Sequence, residues 1–169
     1  STYISDDAII DLPFTNDKTF VDKLNESIAQ NKIKFIIPTH DSAAVTLVEN
    51  QKFIHATVVC SCLETTKICR YKSLTYKTLE GTDILPEIYS YDNPKFPLFA
   101  KDNEGQGGRN THLIYGQKEL EELKKDSVSY VLCEYLPGKE VTIDCFTDRH
   151  GKLRFMQPRY RERLMNGIT

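Results

Sequence analysis

The stretch SYVLCEYLPGKEVTIDCF, residues 129–146, decides the fold expected for the second half of the chain. Two apolar runs, 129–136 and 140–146, flank Pro137-Gly138-Lys139, and a Pro-Gly pair is a strong turn signal. The stretch therefore predicts two strands separated by a turn.

The segments on either side extend this pattern, with strands expected at 96–101, 112–115 and 152–163 and one short helix at 117–125. Runs of strands around a single helix are typical of an antiparallel α+β module. We therefore expect an α+β domain over residues 96–169.

The first half of the chain shows a different pattern, in which helices and strands alternate. One helix is predicted by an apolar stripe of helical period at Phe20, Val21, Leu24 and Ile28. Lys34–Pro38 (KFIIP) is a continuous apolar run like a strand buried in a parallel sheet. A second helix near Asp41 and a second strand at 55–60 complete the alternation, which predicts a parallel α/β sheet.

Three capping signals predict where helices begin, namely Thr15 or Asn16, Asp41 or Ser42, and the capping box Ser61-x-x-Glu64. Helical sequence continues after the third signal to Glu80, as one long helix or two short ones. Residues 82–97 contain three prolines and are expected to form a linker between the two parts.

Composition and charge exclude several classes of protein. The chain has 169 residues, 40% of them hydrophobic, and a net charge of −2, which suits one or two ordinary domains rather than a disordered chain. Near-neutral charge predicts no nucleic-acid partner, and no apolar run approaches the roughly 18 residues that would span a membrane. Five cysteines, an odd number, and no secretory leader predict free thiols in a cytoplasmic protein.

A glycine-rich loop at 101–109 (KDNEGQGGR) is the first candidate binding site. Glycine lets backbone N–H groups approach an anion, and Lys101 and Arg109 add positive charge. The loop lacks the Walker pattern, and Asn110 stands where the dinucleotide fingerprint requires a third glycine. The loop alone is equally compatible with a phosphate site and a flexible hairpin tip.

Two further sets of charged residues could bind a ligand. Glu134 and Glu140 flank the predicted turn, where a carboxylate can accept hydrogen bonds from both hydroxyls of a ribose, although on this evidence alone a solvated turn is the better explanation. Arg159, Arg161 and Arg163 alternate along the last predicted strand and share one face. They need an anionic neighbour there, or they form a solvated basic edge.

The cysteines give a weaker indication of a functional site than the charged residues do. Cys60-x-Cys62, with Cys69 and His55 nearby, matches no common zinc spacing, so no metal site is expected. Nothing in the sequence marks one thiol as activated, and no catalytic cysteine is predicted.

The order of these features resembles the ATP-grasp superfamily, especially members like the carbamoyl-phosphate synthase large subunit. The resemblance is carried by a strand ending in Lys101, the glycine-rich loop, a strand, a helix, then E-Y-L-x-G-x-E at 134–140, V-T-I-D at 141–144 and P-R-x-R at 158–161. Upstream, FIIPTHDS at 35–42 and Tyr71-Lys72 are similar to elements of the same family, although the family usually has an acid in place of Tyr71.

The resemblance implies a division into a partial Rossmann-like pre-ATP-grasp domain at 1–65, a connecting helix and linker at 66–95, and an ATP-grasp lid subdomain at 96–169. It also implies that the chain lacks the first strand of the family and the C-terminal segment that carries its Mg²⁺ ligands. No residue of this chain is therefore expected to bind the metal.

The resemblance further implies roles for individual residues. The phosphates of ATP would be bound by Lys72 and Lys101 beneath a lid loop of Gly105, Gln106, Gly107 and Gly108. The adenine would be flanked by Glu134 and Leu136, and the ribose hydroxyls would be bound by Glu140. The acyl phosphate or substrate carboxylate would face Arg159 and Arg161, while Asp144 matches an acid without an assigned role.

The activity implied is that of an ATP-dependent ligase, which converts a small carboxylate substrate to an acyl phosphate for attack by an amine or other nucleophile. Without the metal-binding segment, the 169-residue chain alone is expected to show no turnover. A homodimer is the oligomeric state to test. The alternative is a non-catalytic nucleotide-binding or interaction module.

Overall fold

The computed structural model describes residues 12–148 and 150–160. Contacts divide the chain into two units, one ending at Thr78 and the other beginning at Leu79. Both units mix helices and strands, in agreement with the expected fold classes. None of the helices in the described part of the chain is long and apolar enough to cross a membrane.

In its described residues, the first unit contains α1 (Phe20–Asn31), β1 (Phe35–Ile36), α2 (Asp41–Glu49), β2 (Thr57–Val58), α3 (Leu63–Arg70) and α4 (Lys72–Thr78). Strands β1 and β2 pair in parallel, which confirms the predicted parallel arrangement. The helical sequence up to Glu80 forms two short helices because the backbone of Tyr71, between them, is extended (φ −103°, ψ 114°).

The core of the first unit lies between α1 and this short sheet. The stripe predicted for α1 is confirmed, since Phe20, Leu24 and Ile28 are buried and pack with Leu47 and Ile54. The apolar stripe is therefore the feature that attaches the first helix to its unit.

Strand β1 is buried on one face only, so the expectation of a strand buried on both faces is wrong. Ile36 packs against the core cluster, whereas Phe35 is 64% exposed and Ile37 70% exposed. Successive side chains of a strand point to opposite faces, and the core cluster lies on the face of Ile36.

The N-cap residues of the first three helices differ from those expected. Helix α1 follows Thr19 rather than Thr15 or Asn16, and Asp17 Oδ1 accepts hydrogen bonds from both the N–H and the hydroxyl of Thr19, each at 2.7 Å. Asp17 therefore organises the turn before the helix.

The two later helices also correct the prediction. His40 is the N-cap of α2, and its Nδ1 lies 2.8 Å from Ser42 Oγ, so the serine hydroxyl bonds the ring instead of capping the helix. Cys62, not Ser61, is the N-cap of α3. The capping box is therefore wrong by one residue, and a thiol stands at the start of α3.

In its described residues, the second unit contains β3 (Ile88–Tyr89), β4 (Leu98–Asp102), β5 (Thr111–Ile114), α5 (Gln117–Leu123), β6 (Tyr130–Glu134), β7 (Val141–Thr147) and β8 (Leu153–Tyr160). Four strands form an antiparallel sheet in the order β3-β6-β4-β5, and β7 and β8 form a separate antiparallel hairpin. This confirms the antiparallel α+β prediction. The expected linker at 82–97 instead contributes β3, which pairs with β6.

Helix α5 covers one face of the four-stranded sheet. The buried cluster on that face consists of Leu98, Ala100, Ile114, Leu120, Leu123 and Leu132. Because Leu98 and Ala100 point into this core, alternation along β4 places Phe99 and Lys101 on the opposite face. We call that opposite side the open face of the sheet.

The hairpin of β7 and β8 has one apolar and one mainly polar face. Register places Val141, Ile143 and Cys145 opposite Tyr160, Pro158 and Met156 on the apolar face. Every residue of the two strands except Thr142 is exposed, so the core of the second unit is confined to the four-stranded sheet and α5.

Candidate functional site

Lys101 lies near the end of β4 on the open face. Its Nζ is 5.7 Å from the centroid of the Phe99 ring, within the range of a cation–π contact. Register pairs Lys101 with Thr111 of β5 and Val131 of β6, so these side chains share the open face. The ammonium group therefore stands above neighbouring strands rather than at an isolated turn.

The surface beside Lys101 is apolar and partly exposed. Phe99 is paired with Leu113 on one side and Cys133 on the other, and the Phe99 ring lies 6.5 Å from the ring of Tyr135. Phe99 and Leu113 are half-buried, whereas Cys133 is buried. This arrangement offers a flat apolar ring a surface to rest on, with a cation next to it.

The glycine-rich loop joins β4 to β5 at the same end of the sheet as Lys101. Gly105 N–H donates to the Asp102 carbonyl (3.1 Å), and Arg109 N–H donates to the Gln106 carbonyl (3.2 Å). Gly107 and Gly108 have φ values of 62° and 72°, which favour glycine. The predicted lid-loop glycines thus form successive turns next to the lysine.

Asp102 holds this loop together and was not singled out from the sequence. Its Oδ1 accepts a hydrogen bond from Glu104 N–H (2.9 Å), and its Oδ2 accepts one from Asn110 Nδ2 (3.0 Å). An aspartate that bonds the backbone two residues later is a recognisable turn signal. The loop is therefore tied at both ends by one carboxylate, which argues against a loose hairpin tip.

Glu134 and Leu136 lie at the other end of β6. Glu134 pairs with Leu98. Along β6, Glu134 lies three residues beyond the residue that pairs with Lys101, which corresponds to about 10 Å. The Glu134 carboxylate accepts a hydrogen bond from Glu87 N–H (3.3 Å), and Leu136 is exposed beyond the strand. The structure does not bring these side chains next to Lys101, and their role at the adenine stays a prediction.

Glu140 directly precedes β7 and Arg159 lies in β8, so neither belongs to the sheet that carries Lys101. Arg159 Nε donates to Asp144 Oδ2 at 2.7 Å, and this hydrogen bond raises the pKa of the Arg159 guanidinium. Asp144 thus supplies the anionic neighbour that the arginine required. Arg161 and Arg163 lie outside the described residues.

Lys72 is the first residue of α4 in the first unit and is half-buried. The structure therefore assigns Lys72 and Lys101 to different units. A shared role at the phosphates of ATP stays a prediction.

All five cysteines lie within the described residues and are thiols, as expected. Cys133 is buried, and the other four are exposed. Among residues 12–148 and 150–160, no group of three or more His, Cys, Asp or Glu side chains could hold a metal ion.

Comparison with known proteins does not identify a family. No protein-family model matches the sequence, and no curated protein matches it significantly. The resemblance to the ATP-grasp superfamily therefore rests on the order of motifs in the sequence and stays a prediction.

Proposed function

We propose that the second unit binds ATP on the open face of its sheet. The observation that carries this proposal is the position of Lys101, whose ammonium shares a half-buried apolar face with Phe99 and Val131 at the end where the glycine-rich loop begins. The lysine would contact phosphate, and the apolar face would lie beneath the base.

The chemistry of the neighbouring groups supports this choice of ligand. A hydrogen bond from an ammonium to a phosphate oxygen is charge-assisted and stronger than one between neutral groups. Glycines at 105, 107 and 108 let backbone N–H groups approach the same anion. The Phe99 ring offers a flat apolar surface to the base. A ligand with both a flat ring and a polyphosphate would use all three features.

Calorimetric titration of the chain with ATP tests the proposal. If the charge-assisted bond contributes about 1.5–3 kcal/mol, Lys101→Ala should weaken binding roughly ten- to a hundredfold. Lys118→Ala is the matched control, because Lys118 is an exposed lysine on α5, which covers the other face. Equal affinity of the Lys101→Ala and unsubstituted chains would refute the site.

We further propose that this ATP-binding unit belongs to an ATP-grasp ligase that activates a small carboxylate. Lys101 and the backbone amides of the loop would stabilise negative charge on the transferred phosphoryl group. Closure of residues 103–110 would exclude water from a hydrolysable acyl phosphate. Arg159 and Arg161 are proposed to face that intermediate. Among the described residues, no group of three or more His, Cys, Asp or Glu side chains is placed to hold the Mg²⁺ that such a ligase uses.

Trapping with hydroxylamine tests the ligase step, since an acyl phosphate yields a hydroxamate. We expect the 169-residue chain to bind ATP without forming hydroxamate from a panel of small carboxylates. Hydroxamate formation by this chain would show ligase chemistry and overturn the expectation of no turnover.

The alternative is a non-catalytic interaction module, and the exposed apolar face of the hairpin of β7 and β8 favours it. Val141, Ile143 and Met156 are 44%, 55% and 59% exposed, and contiguous apolar surface of this kind often marks an interaction site. A chain that binds no nucleotide in calorimetry would support this alternative over the ligase.

A further inference from the structure

Two thiols lie against the first turn of α3, in the first unit. Cys60 Sγ is 3.5 Å from Thr66 Oγ1, and Cys62 Sγ is 3.3 Å from Thr65 Oγ1. Both cysteines are exposed. Two accessible sulfur atoms therefore contact adjacent threonines of one helical turn.

The two thiols differ in their access to a hydrogen-bond donor. Thr66 Oγ1 donates its proton to backbone carbonyls, at 2.9 Å to Cys62 O and 3.2 Å to Ser61 O. A hydroxyl has one proton, so Thr66 does not stabilise a thiolate at Cys60. The Thr65 hydroxyl makes no such backbone bond among the described contacts, so its proton is available to a thiolate at Cys62.

The position of Cys62 also favours its thiolate. Cys62 is the N-cap of α3, and the positive end of a helix stabilises negative charge. The hydrogen bond from the Thr65 hydroxyl lowers the pKa of the Cys62 thiol, against a smaller opposing effect of the Glu64 carboxylate. Together with the contact to Thr65, this position makes Cys62 the candidate nucleophile of the pair.

Cys60 lies two residues before Cys62, so the chain itself keeps the two sulfurs within reach of each other after a small backbone adjustment. Residues two apart have Cα atoms no more than about 7 Å apart, at the upper end of the range that a disulfide spans. A disulfide between the pair would be strained and easily reduced, as in regulatory rather than structural disulfides.

We propose that Cys62 and Cys60 form a peroxide-sensitive dithiol. The Cys62 thiolate attacks one oxygen of hydrogen peroxide, the O–O bond breaks, and after protonation of the leaving hydroxide the products are a sulfenic acid and water. The Cys60 thiol then attacks the sulfenic sulfur, an S–S bond forms, and a second water leaves. The two sulfurs together lose two electrons, and peroxide is reduced to two waters.

Peptide mapping of the full chain after limited hydrogen peroxide treatment tests the proposal. Trypsin cleavage places Cys60 and Cys62 together in residues 53–67, whereas the exposed Cys69 and Cys145 fall in separate peptides and serve as internal controls. We expect the 53–67 peptide to lose two hydrogen atoms at least about threefold faster than either control cysteine is oxidised. Equal rates at all exposed cysteines would overturn the proposal.

Substitutions separate the roles of the two sulfurs. In Cys60→Ser, the sulfenic acid should persist at Cys62 and be trapped by dimedone, while Cys62→Ser should leave Cys60 reduced. Thr65→Val should slow alkylation of Cys62 severalfold and leave Cys69 unchanged. If peroxide links two unsubstituted chains through Cys62 and forms no Cys60–Cys62 disulfide, the role of Cys60 is overturned. If Thr65→Val leaves the alkylation rate of Cys62 unchanged, the activation of Cys62 by Thr65 is overturned.

Discussion

Gly105→Ala is a direct test of how the glycine-rich loop is built. An alanine Cβ at this position would lie 2.8 Å from Asp102 Cβ and 3.0 Å from the Arg109 carbonyl oxygen. Carbon atoms normally stay about 3.5–4.0 Å apart. The alanine therefore fits only if Asp102 or the loop backbone moves by roughly half an ångström or more.

The expected cost follows from the bonds that this movement disturbs. The Asp102 carboxylate accepts bonds from Glu104 N–H and Asn110 Nδ2, and displacing it weakens at least one of them. Overpacking and the loss of one hydrogen bond to a charged group each cost about 1–3 kcal/mol. We expect Gly105→Ala to lower the free energy of unfolding of the second unit by about 1–3 kcal/mol.

Urea denaturation followed by circular dichroism measures this change, and hydrogen exchange of the 102–112 amides localises it. Gly138→Ala is the matched control, because nothing lies within 4 Å of an added Cβ there and its φ is not positive. The control should stay within about 0.5 kcal/mol of the unsubstituted chain. Equal stability and equal loop exchange in the two variants would contradict the loop geometry.

Two further predictions concern the core and the hairpin of the second unit. Leu98→Ala should lower the free energy of unfolding by about 2–5 kcal/mol, because Leu98 is fully buried. Ile84→Ala, at a 69% exposed position, should have little effect in the same urea experiment. Similar losses of stability in the two variants would contradict the assignment of Leu98 to the core. Hydrogen bonds to Asp148 from Arg154 and from two backbone N–H groups hold the pKa of Asp148 below its usual range. This stabilisation is present above about pH 4 and is lost as the pH falls through the lower folded pKa. Asp148→Asn should flatten the acid dependence of hairpin amide exchange, and an unchanged pH profile would refute the role of the carboxylate.

Local periodicity predicted the elements whose burial follows from their own sequence. The apolar stripe of α1 needs only one covered face, so Phe20, Leu24 and Ile28 indicate both the helix and its buried side. The run around Phe35 and Ile37 indicates a strand equally well. It cannot indicate which neighbours cover that strand, and so its burial was predicted wrongly.

Features that depend on distant pairing were not visible in the sequence. Ile88 and Tyr89 read as part of a linker because the strand they join, β6, lies more than forty residues later. The pairing of Asp144 with Arg159 likewise depends on the register of two strands. The start of α3 depends on whether Ser61 or Cys62 takes the N-cap, a difference of one residue that moves a thiol to the helix end.

The glycine loop and Lys101 were predicted as a site from their order along the chain, and the structure places them at one end of one sheet. The role of Asp102 in holding the loop was not predicted, although Asp102 precedes the glycines. An aspartate in a polar loop can have many roles, and only its two hydrogen bonds in the structure identify this one. Glu134 was expected with Lys101 from motif order alone. Strand pairing separates the two along β6, since order in sequence does not specify which face or end a side chain occupies.

The alternation of β4, which turns Phe99 away from the core, gives this chain a practical optical property. The sequence has nine tyrosines and no tryptophan, so Phe99→Trp would introduce a single indole on the open face. Tyr135, whose ring centroid is 6.5 Å from that of Phe99, is close enough to pass excitation energy to this indole. A molecule bound on the open face would change one emission band, and a molecule bound elsewhere would leave that band unchanged.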